Sequence, residues 1–257
     1  MAGRAPVLRV EGLGVRYGAL VALSDLSWTV DAGQILGIIG PNGAGKSSCF
    51  AAVTNSVAHD GHVHLDGQRV TALPTWTLAA RGLRRTFQQN AFFGELSVLD
   101  NALGALVAEH STGLVASILA PWREAATRRR AVAEATRLLE SFGIGREYHR
   151  ERPADVPYGI QRLLSVVLAY GTGARALLLD EPAAGTGGPD MRRLAQVLID
   201  LRARGTAVVV IEHHMDLIMS VADHIVVIDQ GRYLASGAPA AVQADPAVRE
   251  AYLGRAE

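Results

Sequence analysis

Gly40-Pro41-Asn42-Gly43-Ala44-Gly45-Lys46-Ser47 satisfies the pattern GxxxxGK[ST] at every fixed position, and Lys46 is the only lysine of the 257-residue chain. The residue types state the chemistry. Gly40, Gly43 and Gly45 let successive backbone N–H groups converge on phosphate oxygens. Lys46 supplies a compact charge for the β- and γ-phosphates, and the Ser47 hydroxyl can bind magnesium. Ser48 extends the same segment, which as a whole predicts a nucleoside triphosphate as ligand. Every other basic residue is arginine, and a planar guanidinium substitutes poorly for an ammonium inside a tight loop.

A second chemical feature lies far downstream, where Ala176-Leu177-Leu178-Leu179 runs into Asp180-Glu181-Pro182. Asp180 can hold magnesium, directly or through water, and Glu181 can orient or deprotonate an attacking water. An acidic pair can also simply end a strand, but the phosphate loop upstream favours the catalytic reading. His62 and His64 share one strand face and could ligate a metal, yet no third ligand stands nearby, and a solvated face explains them better.

These side chains need a scaffold, and the surrounding pattern describes one. Ile35-Leu36-Gly37-Ile38-Ile39 is a buried strand, followed by the glycine loop and a helix, in the order that phosphate binding requires. From Val7 to Val30 and from His62 to Leu65 the alternation of apolar and polar residues predicts antiparallel strands, with Leu26, Trp28 and Val30 facing inward. The middle of the chain, about residues 92–168, is rich in alanine, leucine and arginine and predicts an inserted α-helical subdomain. Within it, Ala131, Val132, Ala135, Leu138 and Leu139 recur at helical spacing, with Gly143 as the stop. Apolar strands return at Ala176–Leu179, Ala207–Ile211 and Ile225–Ile228, separated by helical stretches. The expected fold class is α/β: a P-loop NTPase core with a mostly parallel sheet and an N-terminal antiparallel β-subdomain. All of it forms one ATP-binding domain over residues 1–257, closed by a C-terminal tail at about 239–257.

Composition narrows the partners. Lysine plus arginine and aspartate plus glutamate number 25 each, so no electrostatic footprint points to nucleic acid. Cys49 is the single cysteine, which excludes an internal disulfide and suits packing behind the loop. No signal-like start is present, and no apolar run approaches the roughly 20 residues of a membrane helix. Leu103 to Trp122, the most apolar stretch, is broken by Glu109, His110, Ser111 and Thr112.

Tyr17, the loop from Gly40 to Ser47, Gln88, the stretch 156–162, Asp180-Glu181 and His213 stand in the order and spacing of ABC transporter ATP-binding subunits, which the chain resembles over nearly its whole length. Arg85-Thr86-Phe87-Gln88, Asp180-Glu181-Pro182-Ala183-Ala184-Gly185, Ile211-Glu212-His213 and Val248-Arg249-Glu250-Ala251-Tyr252-Leu253-Gly254 are similar to the ATPases of branched-chain amino acid importers, in particular to the longer of the two that such systems carry. The resemblance implies ATP and magnesium as cofactors, with Tyr17 stacked on adenine, and with Ser47, Gln88 and Asp180 around the metal. It implies Glu181, His213 and Gln88 as catalytic residues, His213 reaching the γ-phosphate. An ordinary strand-end aromatic is the lesser alternative for Tyr17, and His213-His214 read without the resemblance is an ordinary helix start. The implied partners are membrane permease subunits, a second ABC ATPase and, through the complex, a solute-binding protein. They place the chain at the cytoplasmic face of the cell membrane.

The chain departs from the family at the LSGGQ signature, which covers the nucleotide of the opposite subunit in a head-to-tail dimer. The corresponding residues are Val156, Pro157, Tyr158, Gly159 and Ile160, followed by Gln161. Proline replaces the serine and isoleucine the glutamine. The aspartate expected after the catalytic glutamate is also missing, with Gly187 near its place. One site of the dimer is therefore expected to be weak, and a heterodimer with an intact partner follows. A regulatory module with little hydrolysis and a soluble non-transport ATPase are the alternatives. Phe92 and Phe93 suit either a groove for a membrane subunit or the local core.

Overall fold

The computed structural model describes residues 5–86, 92–107, 121–171 and 173–253. Gln88 and part of the stretch Leu103 to Trp122 lie outside them. Two compact units result, Met1–Gln88 with Ala174–Glu257, and Gln89–Gly173.

In the first unit, β1 (Leu8–Tyr17) and β2 (Leu20–Val30) pair antiparallel, Val10 opposite Trp28 and Leu8 opposite Val30. β4 (Asp60–Leu65) adds to the other edge of β1, and β5 (Gln68–Arg69) follows it. Period-two patterning dictates the inward face: Leu26, Trp28 and Val30 are buried while Ser27 and Thr29 between them are exposed. His62 is exposed and His64 half-buried, on the outward face of β4.

The second sheet contains β3 (Ile35–Ile39), β6 (Leu83–Arg85), β7 (Ala176–Asp180), β8 (Ala207–Ile211), β9 (His224–Asp229) and β10 (Arg232–Gly237), in the order β10-β9-β3-β8-β7-β6. All pairings are parallel except β9 with β10. Every residue of β3, β7 and β8 is buried, which explains why these strands read as unbroken apolar runs: a parallel sheet is covered on both faces. The α/β core with an N-terminal antiparallel sheet is thus the fold expected from the sequence. Its functional consequence is directional. The carboxyl ends of β3, β7 and β8 deliver the glycine loop, Asp180-Glu181 and Glu212-His213 to one edge of the sheet, the edge at which open α/β sheets bind ligands.

The second unit holds α3 (Val98–Val107), α4 (Pro121–Ser141) and α5 (Tyr158–Tyr170), after α1 (Lys46–Val53) and α2 (Thr75–Ala80) of the first. α4 stops where the sequence places its glycine. Gly143 takes φ 75°, its N–H donates to Glu140 O at 3.0 Å, and Ile144 N donates to Leu139 O at 3.0 Å. These are the two bonds of a Schellman motif, accompanied by its apolar contact pair, since Leu139 and Ile144 are both fully buried. Nothing lies within 4 Å of a Cβ placed at Gly143, so alanine there would cost only the left-handed backbone, about 1 kcal/mol. Asn101, buried in α3, accepts from Phe93 N and donates to the carbonyls of Phe93, Leu96 and Ser97. That clamp holds a loop whose Phe93 is 68% exposed.

Candidate active site

The glycine loop is built by close approach of backbone to backbone. A Cβ at Gly40 would stand 2.0 Å from Ile228 O, and one at Gly45 would stand 2.4 Å from Ala22 O with Gly45 at φ 99°. No side chain fits at either position, so glycine is a steric requirement here as well as a conformational one. Lys46 opens α1 and is 7% exposed. Its ammonium donates to Gly40 O at 2.7 Å and Pro41 O at 2.9 Å. Burial pushes its pKa below the usual lysine range, and the negative charges of Glu181 and Asp180 push it back up.

A cleft of about 450 Å³ is lined by Tyr17, by Asn42, Gly43, Ala44, Gly45, Lys46, Ser47 and Ser48, and by Glu181, a volume suited to a small-molecule ligand. Tyr17 is 47% exposed and so has a ring face to offer. Gly40 and Pro41 contribute through the carbonyls that hold Lys46. At the C-terminal end, partial burial pushes the Tyr252 phenol up to about 12, while the Gly40 backbone acts the other way. Cys49 is wholly buried behind the loop, and burial pushes its thiol up to about 12, with the Trp28 side chain and the charge of Arg85 acting the other way. It packs, and its thiolate chemistry is suppressed.

Asp180 ends β7 at 2% exposure. Its N–H donates to Thr86 Oγ1 at 3.1 Å, and its Oδ2 accepts from Arg85 Nη2 at 2.7 Å. Its Oδ1 is buried with no hydrogen-bond partner among the described residues. A buried carboxylate oxygen in that condition fits a cation or a cation-bound water. Glu181, half-buried, adopts φ 47° and donates its N–H to Ile211 O at 2.9 Å. A left-handed conformation at a glutamate costs about 1–3 kcal/mol and is held only where its surroundings enforce it.

The enforcing group is Glu212, a residue whose role the sequence did not disclose. Its side chain has no exposure. Oε1 accepts from Ala183 N at 2.6 Å, and Oε2 accepts from His213 N at 3.1 Å, His214 N at 3.3 Å and His214 Nδ1 at 3.0 Å. One carboxylate therefore ties the turn after Glu181 to the turn carrying His213. The signal was a charged residue directly after a wholly apolar strand, the position that Glu181 occupies after β7. His213 itself is half-exposed, its ring 4.2 Å from that of His214. Among the described residues, Glu212, His213 and His214 are the only three potential metal-ligating side chains that cluster, within 4.8 Å, but the Glu212 oxygens are already taken by N–H donors.

In the other unit, Pro157 is the N-cap of α5 (φ −53°, ψ 146°) and supplies no side-chain cap. Its carbonyl accepts from the N–H groups of Ile160 and Gln161. Tyr158 is 43% exposed, Gly159 and Ile160 are buried, and Gln161 Nε2 donates to Val156 O at 3.0 Å. The ring of Tyr158 lies 5.0 Å from the Arg162 guanidinium. Gln88 is outside the described residues.

With this geometry in place, the comparisons are specific. Residues 23–184 match the family described as ABC transporter, and residues 234–257 match one described as branched-chain amino acid ATP-binding cassette transporter. The chain is 36% identical over 253 residues to the high-affinity branched-chain amino acid transport ATP-binding protein BraF of Pseudomonas aeruginosa, covering 98% of this chain and 99% of that one. It is 34% identical to LivG of Escherichia coli, described in the same words and with the same coverage. A solved ATP-binding cassette of an ABC transporter in its ADP conformation superposes with a TM-score of 0.83 at 26% identity, covering 98% of this chain and all of the other. The chain belongs to the ABC transporter ATP-binding proteins of the branched-chain amino acid type. It is an ATPase, the ATP-binding subunit that energises such a transporter.

The Glu212 network yields a test. Glu212→Gln sets an amide donor against N–H groups that now meet an oxygen, leaving at least one buried donor unsatisfied at a cost of about 1–3 kcal/mol. Urea unfolding should show that loss, and turnover of the assembled transporter should fall with little change in KM for ATP. Unchanged turnover would mean the two turns hold their geometry without the carboxylate.

Proposed function

We propose that this chain binds MgATP in the cleft beside Lys46 and couples its hydrolysis to import of branched-chain amino acids or related small polar solutes. The observation that carries this reading is the convergence of Lys46 and Glu181 on one cleft, with the residue before Glu181, Asp180, holding a buried carboxylate oxygen that has no partner among the described residues. Tyr17 offers its ring to adenine, and the loop N–H groups with Lys46 take the phosphates. Ser47 and Asp180 would hold magnesium, which when bound neutralises charge on the phosphate oxygens. Glu181 orients the attacking water and draws its proton, held in place by the strain-bearing turn that Glu212 secures. His213, at the end of the neighbouring strand, contacts the γ-phosphate and senses its loss.

Permease subunits provide the path in this reading, with this chain on their cytoplasmic face; among the described residues no helix is long and apolar enough to cross a membrane. Exposed Phe93, on the loop that Asn101 clamps, suits that contact. Pro157 offers no hydroxyl to a partner's γ-phosphate. A lost hydrogen bond to a charged group costs about 1.5–3 kcal/mol, roughly tenfold to a hundredfold in rate if it acts in the transition state. A second ATPase with an intact signature would complete this chain's own site and leave the reciprocal site weak.

Affinity purification of the tagged chain from detergent-solubilised native membranes should retain two hydrophobic permeases and a shorter ATPase. Retention of soluble proteins only would favour a regulatory module instead. In the recovered complex, Pro157→Ser is expected to raise ATP turnover, and an unchanged rate would show that the absent hydroxyl does not limit it.

A further inference from the structure

Arg85 stands opposite Leu178 in the parallel pairing of β6 with β7. Leu178 and Asp180 share a strand face, so the register delivers the guanidinium to the carboxylate. Nη2 lies 2.7 Å from Oδ2, with side-chain exposures of 15% for Arg85 and 1% for Asp180. The guanidinium carbon is 5.6 Å from the ring centroid of Phe50, itself fully buried. This pair is therefore short, nearly dry and apolar on one side, conditions in which charges act strongly on one another. Arg85 bonds one carboxylate oxygen, Oδ2, and Oδ1 is buried without a partner among the described residues.

We propose that Arg85 is a resident counter-cation of the metal site, a positioning residue that stabilises Asp180 before metal arrives and sets how tightly the divalent cation is held. The inference rests on the reading of Asp180 as a metal ligand. Two effects of Arg85 on the cation oppose each other. It orients the carboxylate, which favours metal binding, and it places a full positive charge close to any cation at Oδ1, which disfavours it. The Asp180 backbone is held separately by Thr86 Oγ1, so the placement of the carboxylate has a support that does not depend on Arg85, and Lys46 adds a second positive charge to its field. At an effective dielectric of about 20, a unit and a double charge roughly 5 Å apart repel by several kcal/mol. The electrostatic effect wins, and the arginine keeps affinity moderate enough for the metal to leave with its nucleotide.

Manganese serves as the probe. Free Mn²⁺ is measured by electron paramagnetic resonance during titration of the full-length chain with saturating ADP, and ADP affinity in EDTA is measured separately as a control for the loop. Arg85→Gln keeps a donor for Oδ2 and removes the charge, and should tighten Mn²⁺ binding about tenfold or more with ADP affinity in EDTA unchanged. Arg85→Lys should stay near wild type. Unchanged or weaker Mn²⁺ binding in Arg85→Gln overturns the proposal. Should Arg85→Gln fold only when Mn²⁺ and ADP are both present, the counter-cation role is supported directly, and failure to fold under any condition leaves Arg85 a purely structural residue and overturns it. Asp180→Asn separates the premises: if it binds Mn²⁺ as wild type does, the metal reading of Asp180 fails; if it loses Mn²⁺ while Arg85→Gln does not tighten it, only the counter-cation role fails.

Discussion

Lys46, Asp180 and Glu212 are ionised side chains withdrawn from water at one edge of an otherwise apolar sheet, and burial of charge is tolerated only where each charge is answered. The answers define the site. Lys46 is met by the carbonyls of its own loop and by the field of Glu181 and Asp180. Asp180 is met by Arg85 through one oxygen. Glu212 is met entirely by N–H groups, which makes it a structural clamp where the other two remain available to a ligand. The same physical demand thus produces a rigid frame and a reactive centre within a few residues of each other.

The frame explains why function concentrates at strand ends. β7 and β8 are in parallel register, with Asp180 opposite Ile211, so the turns that follow must lie side by side. Glu181 N bonds Ile211 O, and Glu212 reaches back to Ala183. Glu181 in its left-handed conformation and His213 in the turn after β8 are mechanically joined through Glu212. In the function proposed, loss of the γ-phosphate at His213 is felt in the turn that carries Glu181.

Much of this was legible in the sequence because it is local. The phosphate loop, the acidic strand end and the three buried strands are contiguous patterns, and alternation alone assigned Leu26, Trp28 and Val30 to the core. Gly143 announced the end of its helix. Arg85 and Glu212 were not legible in their roles, since each depends on strand register across many intervening residues. An arginine beside a strand and a glutamate after one read as surface charges until the pairing is known.

In the function proposed, the cleft beside Lys46 is the ATP site that drives solute movement. The direct measurement is uptake of branched-chain amino acids by proteoliposomes containing the complete complex, comparing the wild-type chain with Lys46→Ala at equal assembly. Losing the sole lysine should abolish ATP-dependent uptake and hydrolysis together. Uptake that persists at the wild-type rate in Lys46→Ala would contradict it.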